Sequence, residues 1–236
     1  ARLKDPQIRK RVIAEMRAPA KGWENLLQLA GGADNVLLIG FKNETLKPLT
    51  GKTLAEVAKS RGASPEDTII DLVIEDDSRV DTAFFLMSED NIRRNIAWPH
   101  LMFGSDEGAY SPEGVFLESN AHPRAYGTFA RLLGKYVRDE KAIPLEEAIR
   151  RLTSLSADSL RIKDRGRIGE GVFADIVVFD PKAIADRATY DKPHQLSAGV
   201  AHVFVNGVLT VSEGAHTGAK AGRVVRGPGW TGGTAE

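Results

Sequence analysis

The sequence predicts an α/β unit followed by a β-rich appendage, and three observations carry that expectation. Short apolar runs alternate with amphipathic stretches up to about residue 160. After Arg165 the texture changes to glycine-punctuated turns and β-branched runs. Asn206-Gly207 then sits between two such runs, the strongest short-range signal for a β-hairpin with a type I′ turn.

Residues 4–17 place Ile8, Val12, Ile13 and Met16 at helical spacing and read as an amphipathic helix. Val36-Leu37-Leu38-Ile39-Gly40-Phe41 is an apolar run suited to a buried strand. Thr53, with Glu56 three residues on, is a capping-box pattern that opens a helix through Leu54 to Ala58. Ser64-Pro65-Glu66-Asp67 combines a capping hydroxyl, a proline in the first turn and two acids facing the helix dipole. Ile69, Ile70, Leu72, Val73 and Ile74 supply the buried face of that helix. Val80 to Met87 reads as a strand, and Ser88-Glu89-Asp90 starts a helix running to about Trp98. Pro99 to Asp106 reads as an apolar strand stopping at Gly104-Ser105-Asp106, and Ser111 to Asn120 as loop. Residues 123–138 and 144–161 are mainly helical, the second with Leu145, Ala148, Ile149 and Leu152 on one face. Ala174 to Asp180 is a strand, and His202–Val205 and Val208–Val211 are the arms of the hairpin. The glycine-rich end from Arg226 to Glu236 is expected to be mobile.

The 236 residues allow one large or two small domains. Lys and Arg total 32 and so do Asp and Glu, so no global field draws the chain to nucleic acid or an anionic membrane. The absence of cysteine excludes disulfides and thiolate metal ligands and fits a cytoplasmic protein. No apolar run reaches the roughly 18 residues of a membrane span, and the polar start at Ala1-Arg2-Leu3-Lys4-Asp5 is no secretory signal. An alanine at position 1 points to processing, tag removal or a cut-down chain.

Two clusters can carry chemistry. Asp106 ends an apolar run, the place where ligands and catalytic groups collect in α/β folds. Its carboxylate can ligate a metal, act as a general base, or only cap the following turn, and spacing alone favours the cap. His122-Pro123-Arg124-Ala125-Tyr126-Gly127-Thr128-Phe129 packs a His, an Arg, a Tyr and a Thr at a loop–helix boundary. Arg124 can hold a carboxylate in a bidentate fork, or pair with a neighbouring acid while Tyr126 and Phe129 fill the core. His100, His194, His202 and His216 form no HxH or HExxH arrangement, and His202 reads as structural. There is no Gly-x-Ser-x-Gly elbow and no phosphate-binding glycine loop.

Together these strings resemble the N-acyl-D-amino-acid deacylases (D-aminoacylases) of the amidohydrolase superfamily. The resemblance rests on Gly104-Ser105-Asp106, the His122–Phe129 string, Leu145-Glu146-Glu147-Ala148-Ile149-Arg150 and Asp164-Arg165-Gly166. It continues through Ala174–Asp180, Val205-Asn206-Gly207, and Gly214 with His216-Thr217-Gly218-Ala219, and covers about residues 22 to 229. The Ala-Asp-Ile-Val-Val-Phe-Asp stretch is shared across amidohydrolases, whereas the His-Pro-Arg string is more specific to the deacylases.

The resemblance implies the C-terminal part of a TIM-type (β/α)8 barrel carrying a zinc site, with a small insert and an appended β-rich domain. The implied division is late barrel helix and strand over 1–35, insert over 36–86, last barrel elements over 87–163, and β-domain strands and tail over 164–236. Asp106 matches the family's metal ligand and proton shuttle, and Arg124 its contact to the substrate carboxylate; His122, Tyr126 and Ser105 are carried over as substrate-binding residues. The implied reaction is hydrolysis of an N-acyl amide by a zinc-activated water, with Asp106 moving the proton to the departing amine.

Two departures qualify that implication. Glu107 stands where the family usually has Gly, and its carboxylate can perturb Asp106 or simply face solvent. The family's HxH, bridging ligand and later barrel histidines have no counterpart in this chain, which leaves one protein ligand where a stable zinc site needs about three or four. A barrel alone needs about 250 residues. The expected partner is therefore an N-terminal portion of the same enzyme, without which the chain is inactive and exposes apolar surface. The alternatives are a non-catalytic binding or assembly remnant, and a hydrolase of cyclic amides like the hydantoinases or dihydroorotases.

Overall fold

The computed structural model describes residues 2–118 and 120–231. The expected mobile end lies partly outside the described residues. The chain divides into two compact units. One comprises Ala1–Ser88, Ser111–His122 and Thr189–His194; the other comprises Glu89–Tyr110, Pro123–Ala188 and Gln195–Glu236.

In the first unit, α1 (Pro6–Arg17) starts where the Asp5 carboxylate accepts the Gln7 and Ile8 N–H groups, with Pro6 in the first turn. No α1 residue is fully buried, and ion pairs from Arg9 to Asp67 and Asp71 and from Arg17 to Glu66 hold the helix in place. After the short α2 (Leu26–Leu29) comes β1 (Val36–Gly40). Helix α3 (Leu54–Arg61) opens on the expected capping box, with Thr53 and Glu56 satisfying each other's backbone N–H, and closes on Gly62 at φ +62°. Helix α4 (Pro65–Asp76) is capped by Ser64. Strand β2 (Asp81–Phe84) pairs antiparallel with β1, Val36 opposite Phe84. It is shorter than the expected Val80–Met87 strand, because only these residues find partners on β1. Val36, Leu38, Leu54, Val57 and Leu72 form the centre of this unit's core.

In the second unit, α5 (Glu89–Ala97) is tied at its start by Glu89. That carboxylate accepts Lys135 Nζ at 2.8 Å and the Tyr136 hydroxyl at 3.0 Å. Helix α6 (Arg124–Arg131) continues into a π-wound turn over Leu132–Asp139. There Gly134 lies so close to Ile184 that a Cβ would stand 2.6 Å from the Ile184 carbonyl oxygen. Helices α7 (Leu145–Leu152) and α8 (Ser154–Ser159) follow, separated at Thr153. Ile96, Leu132, Leu133, Tyr136, Ile143, Ala148 and Ile184 make the second core.

Strands β3 (Ile176–Phe179), β4 (Val200–Val205), β5 (Val208–Ser212) and β6 (Ala215–His216) form an antiparallel sheet in sequence order. The β4–β5 turn has Asn206 at φ +50° and Gly207 at φ +79°, the two positive values of a type I′ turn.

The expected strand from Pro99 to Asp106 does not form; residues 101–106 run as unpaired chain. An apolar run becomes a strand only when a neighbouring strand takes its backbone groups, and none among the described residues does. Both sheets are antiparallel, so among the described residues there is no parallel pair of the barrel type. No helix among them is long and apolar enough to cross a membrane.

Candidate active site

The site lies in the second unit, where α5 ends and α6 begins. Arg151 of α7, its side chain only 3% exposed, fixes the end of α5 by donating to the Ile96 and Trp98 carbonyls, each at 2.7 Å. From there the chain reaches Asp106, whose φ of +51° is one that Asp adopts more readily than most residues. That left-handed residue turns the chain so that two successive carboxylates meet one guanidinium. Arg124, the first residue of α6, places Nη2 3.4 Å from Asp106 Oδ2 and Nε 3.3 Å from Glu107 Oε2.

The two acids differ in surroundings. The Asp106 side chain is 92% exposed and that of Glu107 17%. Glu107 also accepts from the Tyr110 hydroxyl and the Gly108 N–H, both at 3.4 Å, while Ser105 Oγ donates to the Glu107 carbonyl at 3.5 Å. Tyr110 folds back so closely that a Cβ on Gly108 would lie 2.8 Å from its ring. Burial raises the Tyr126 phenol above its ordinary value, with the nearby Tyr110 adding to the shift. The Tyr126 carbonyl accepts Ser197 Oγ at 2.6 Å, which fastens the first turn of α6.

Of the residues singled out from sequence, Asp106, Arg124 and Ser105 therefore come together, and Tyr126 is the third residue of the same helix. His122 belongs to the first unit. There its Nε2 lies 3.3 Å from the Tyr190 hydroxyl, the two rings meet edge to face at 5.1 Å, and Tyr190 packs likewise on Phe85. Tyr110 went unnoticed in the sequence, because no periodicity marks an aromatic residue that folds back over a loop. His202 Nε2 lies 3.4 Å from Glu213, and His216 Nδ1 accepts the Gly218 N–H.

Chemically, the exposed Asp106 carboxylate can accept a proton, and Arg124 can present its planar fork to a carboxylate. Among the described residues no three His, Asp or Glu side chains gather closely enough to hold a metal ion.

The chain matches the amidohydrolase family over residues 28–211, a span that contains every residue of this site. The chain belongs to the amidohydrolase family. Within that family it is similar to D-aminoacylases and to deacylases of N-acyl-D-glutamate and N-acyl-D-aspartate. It is 40% identical over 196 residues to a D-aminoacylase of Alcaligenes xylosoxydans xylosoxydans, covering 81% of this chain and 38% of that protein. A D-aminoacylase crystal structure, said to define a novel subset of amidohydrolases, superposes with a TM-score of 0.69 at 35% identity. That match covers 83% of this chain and 38% of the other. An N-acyl-D-glutamate deacylase of Bordetella bronchiseptica, solved with zinc and a phosphonate mimic of the tetrahedral intermediate, gives 0.64 at 33% identity, over 78% of this chain and 36% of that one. This amidohydrolase chain thus spans well under half the length of these relatives.

Proposed function

We propose that this chain is the C-terminal part of a zinc-dependent N-acyl-D-amino-acid deacylase, which hydrolyses the amide to a carboxylate and a free D-amino acid. The observation that carries the reading is the meeting of Asp106 with Arg124, a proton acceptor beside a carboxylate fork, on a chain of this family. Arg124 anchors the substrate's free carboxylate bidentately. Asp106 takes a proton from the attacking water and returns it to the departing amine, for which its exposed Oδ atoms suit it. Tyr126 and Ser105 belong to the same loop–helix junction.

The residues in hand do not by themselves fit a zinc ion. Asp106 is one ligand, and a working site takes about three protein ligands plus a water. The remaining ligands would come from a polypeptide portion carrying the rest of the barrel. A cytoplasmic location goes with this reading.

The test joins the chain to that portion and measures zinc content and hydrolysis of N-acetyl-D-methionine, N-acetyl-L-methionine and a hydantoin. The expected result is zinc-bound, D-selective deacylation that Asp106→Asn abolishes, with the chain alone metal-free and inactive. Zinc-free, inactive assemblies would favour a binding or assembly remnant, and turnover of the hydantoin alone would favour a cyclic-amide hydrolase.

A further inference from the structure

The Arg124 guanidinium already holds an acid that is not a substrate. Glu107 reaches Nε from a mostly enclosed position, fixed by the Tyr110 hydroxyl and the Gly108 N–H, while Asp106 takes Nη2 from an exposed one. One positive charge thus faces two negative ones within a single loop–helix junction. An incoming carboxylate can displace Glu107 from Nε and take over the fork, since Arg offers five donors in one plane. The displaced Glu107 stays close to the bound substrate, because its Oε1 still accepts from the Tyr110 hydroxyl and the Gly108 N–H of its own loop. Arg124 offsets the charge of the one carboxylate it holds, whereas a second carboxylate on the substrate adds a like charge near Glu107 that costs affinity even at an intermediate effective dielectric.

We propose that Glu107 is a specificity-determining residue. It makes the site select N-acyl amino acids whose only negative charge is the carboxylate held by Arg124, and reject those bearing a second carboxylate on the side chain. The inference rests on the deacylase reading above. Discrimination of this kind comes from a repulsive element built against the wrong substrate as much as from attraction to the right one. A residue that only braced the loop would affect all substrates alike, whereas a charge filter acts according to substrate charge.

The test compares kcat and KM of the assembled enzyme on N-acetyl-D-methionine and N-acetyl-D-glutamate for the unmodified protein, Glu107→Gln and Glu107→Asp. The unmodified enzyme is expected to prefer the methionine substrate. Glu107→Gln is expected to raise the glutamate-to-methionine ratio of kcat/KM by about tenfold or more, the scale of removing a close like charge, mainly through KM for the glutamate substrate. Glu107→Asp, which keeps the charge, is expected to retain the original preference. An unchanged ratio in Glu107→Gln, a uniform loss on both substrates, or an initial preference for N-acetyl-D-glutamate would each overturn the inference while leaving the deacylase reading intact. Inactivity of the assembled enzyme on every N-acyl-D-amino acid would sink that reading and this inference with it.

Discussion

Replacing Arg151 by methionine removes one buried guanidinium while keeping an unbranched side chain in its slot. In the native unit Arg151 donates to the Ile96 and Trp98 carbonyls at 2.7 Å and to Glu147 Oε1 at 2.6 Å. The two carbonyls close the C-terminal end of α5, where a helix leaves carbonyls unpaired and a cation is favoured. Three hydrogen bonds to a charged group, at about 1.5–3 kcal/mol each, give a gross loss of roughly 5–9 kcal/mol. The variant is spared the cost of desolvating a cation, which is several kcal/mol. Glu147 also keeps its second partner, Arg150, at 2.7 Å. The net destabilisation is therefore about 3 kcal/mol, the lower end of the range for breaking a buried ionic pair. Trp98, one residue past α5, supplies a local probe once Trp23 and Trp230 are replaced by phenylalanine. Urea unfolding followed by its fluorescence reports on the second unit, and hydrogen exchange at Asn95–Ala97 should lose protection in step. A destabilisation below about 1 kcal/mol, with exchange unchanged, would refute the idea that this side chain holds α5 and hence the approach to Asp106.

Two further outcomes follow from neighbouring features. Gly199 has φ +84°, and a Cβ there would stand 2.5 Å from the Ile184 backbone N and Cα. Gly199→Ala should cost about 2 kcal/mol or more, from left-handed strain plus overpacking against backbone that cannot swing aside, and a thermal midpoint equal to the parent's would contradict this. Glu147, gripped by Arg150 and Arg151, has its carboxyl lowered to about 2, against an unfolded value of about 4.3. A carboxylate lowered in the folded state stabilises it above the unfolded value and loses that contribution as pH falls through the folded one. The stability gap between the parent and Glu147→Gln should therefore be full at pH 6, shrink from about pH 4.3 downward, and be gone below about pH 2. Parallel denaturation midpoints across that range would rule the linkage out.

Local chemistry was legible in the sequence wherever the partners lie within a few residues. The Thr53–Glu56 box, the Ser64-Pro65 start and the Asn206-Gly207 turn all form as their residue types require, because each satisfies backbone groups in its own vicinity. The family-bearing strings, with Asp106 and Arg124 among them, were likewise readable as residues in order. Tertiary structure decided what depended on distant partners. The Pro99–Asp106 run has strand composition and yet no strand, since its backbone finds no neighbour to pair with. Arg151 is buried beside the apolar face of α7 because two carbonyls from over fifty residues away await it, which no helical periodicity announces. Read from the sequence, Glu107 could perturb Asp106 or simply face solvent; in the structure its side chain is mostly enclosed. It pairs with Arg124 and is covered by Tyr110, an arrangement set by how the loop folds back on itself. Sequence alone thus determined which groups the chain brings to a site, and the fold determined which of them share a charge, because Coulombic and hydrogen-bond partners are chosen by distance in space.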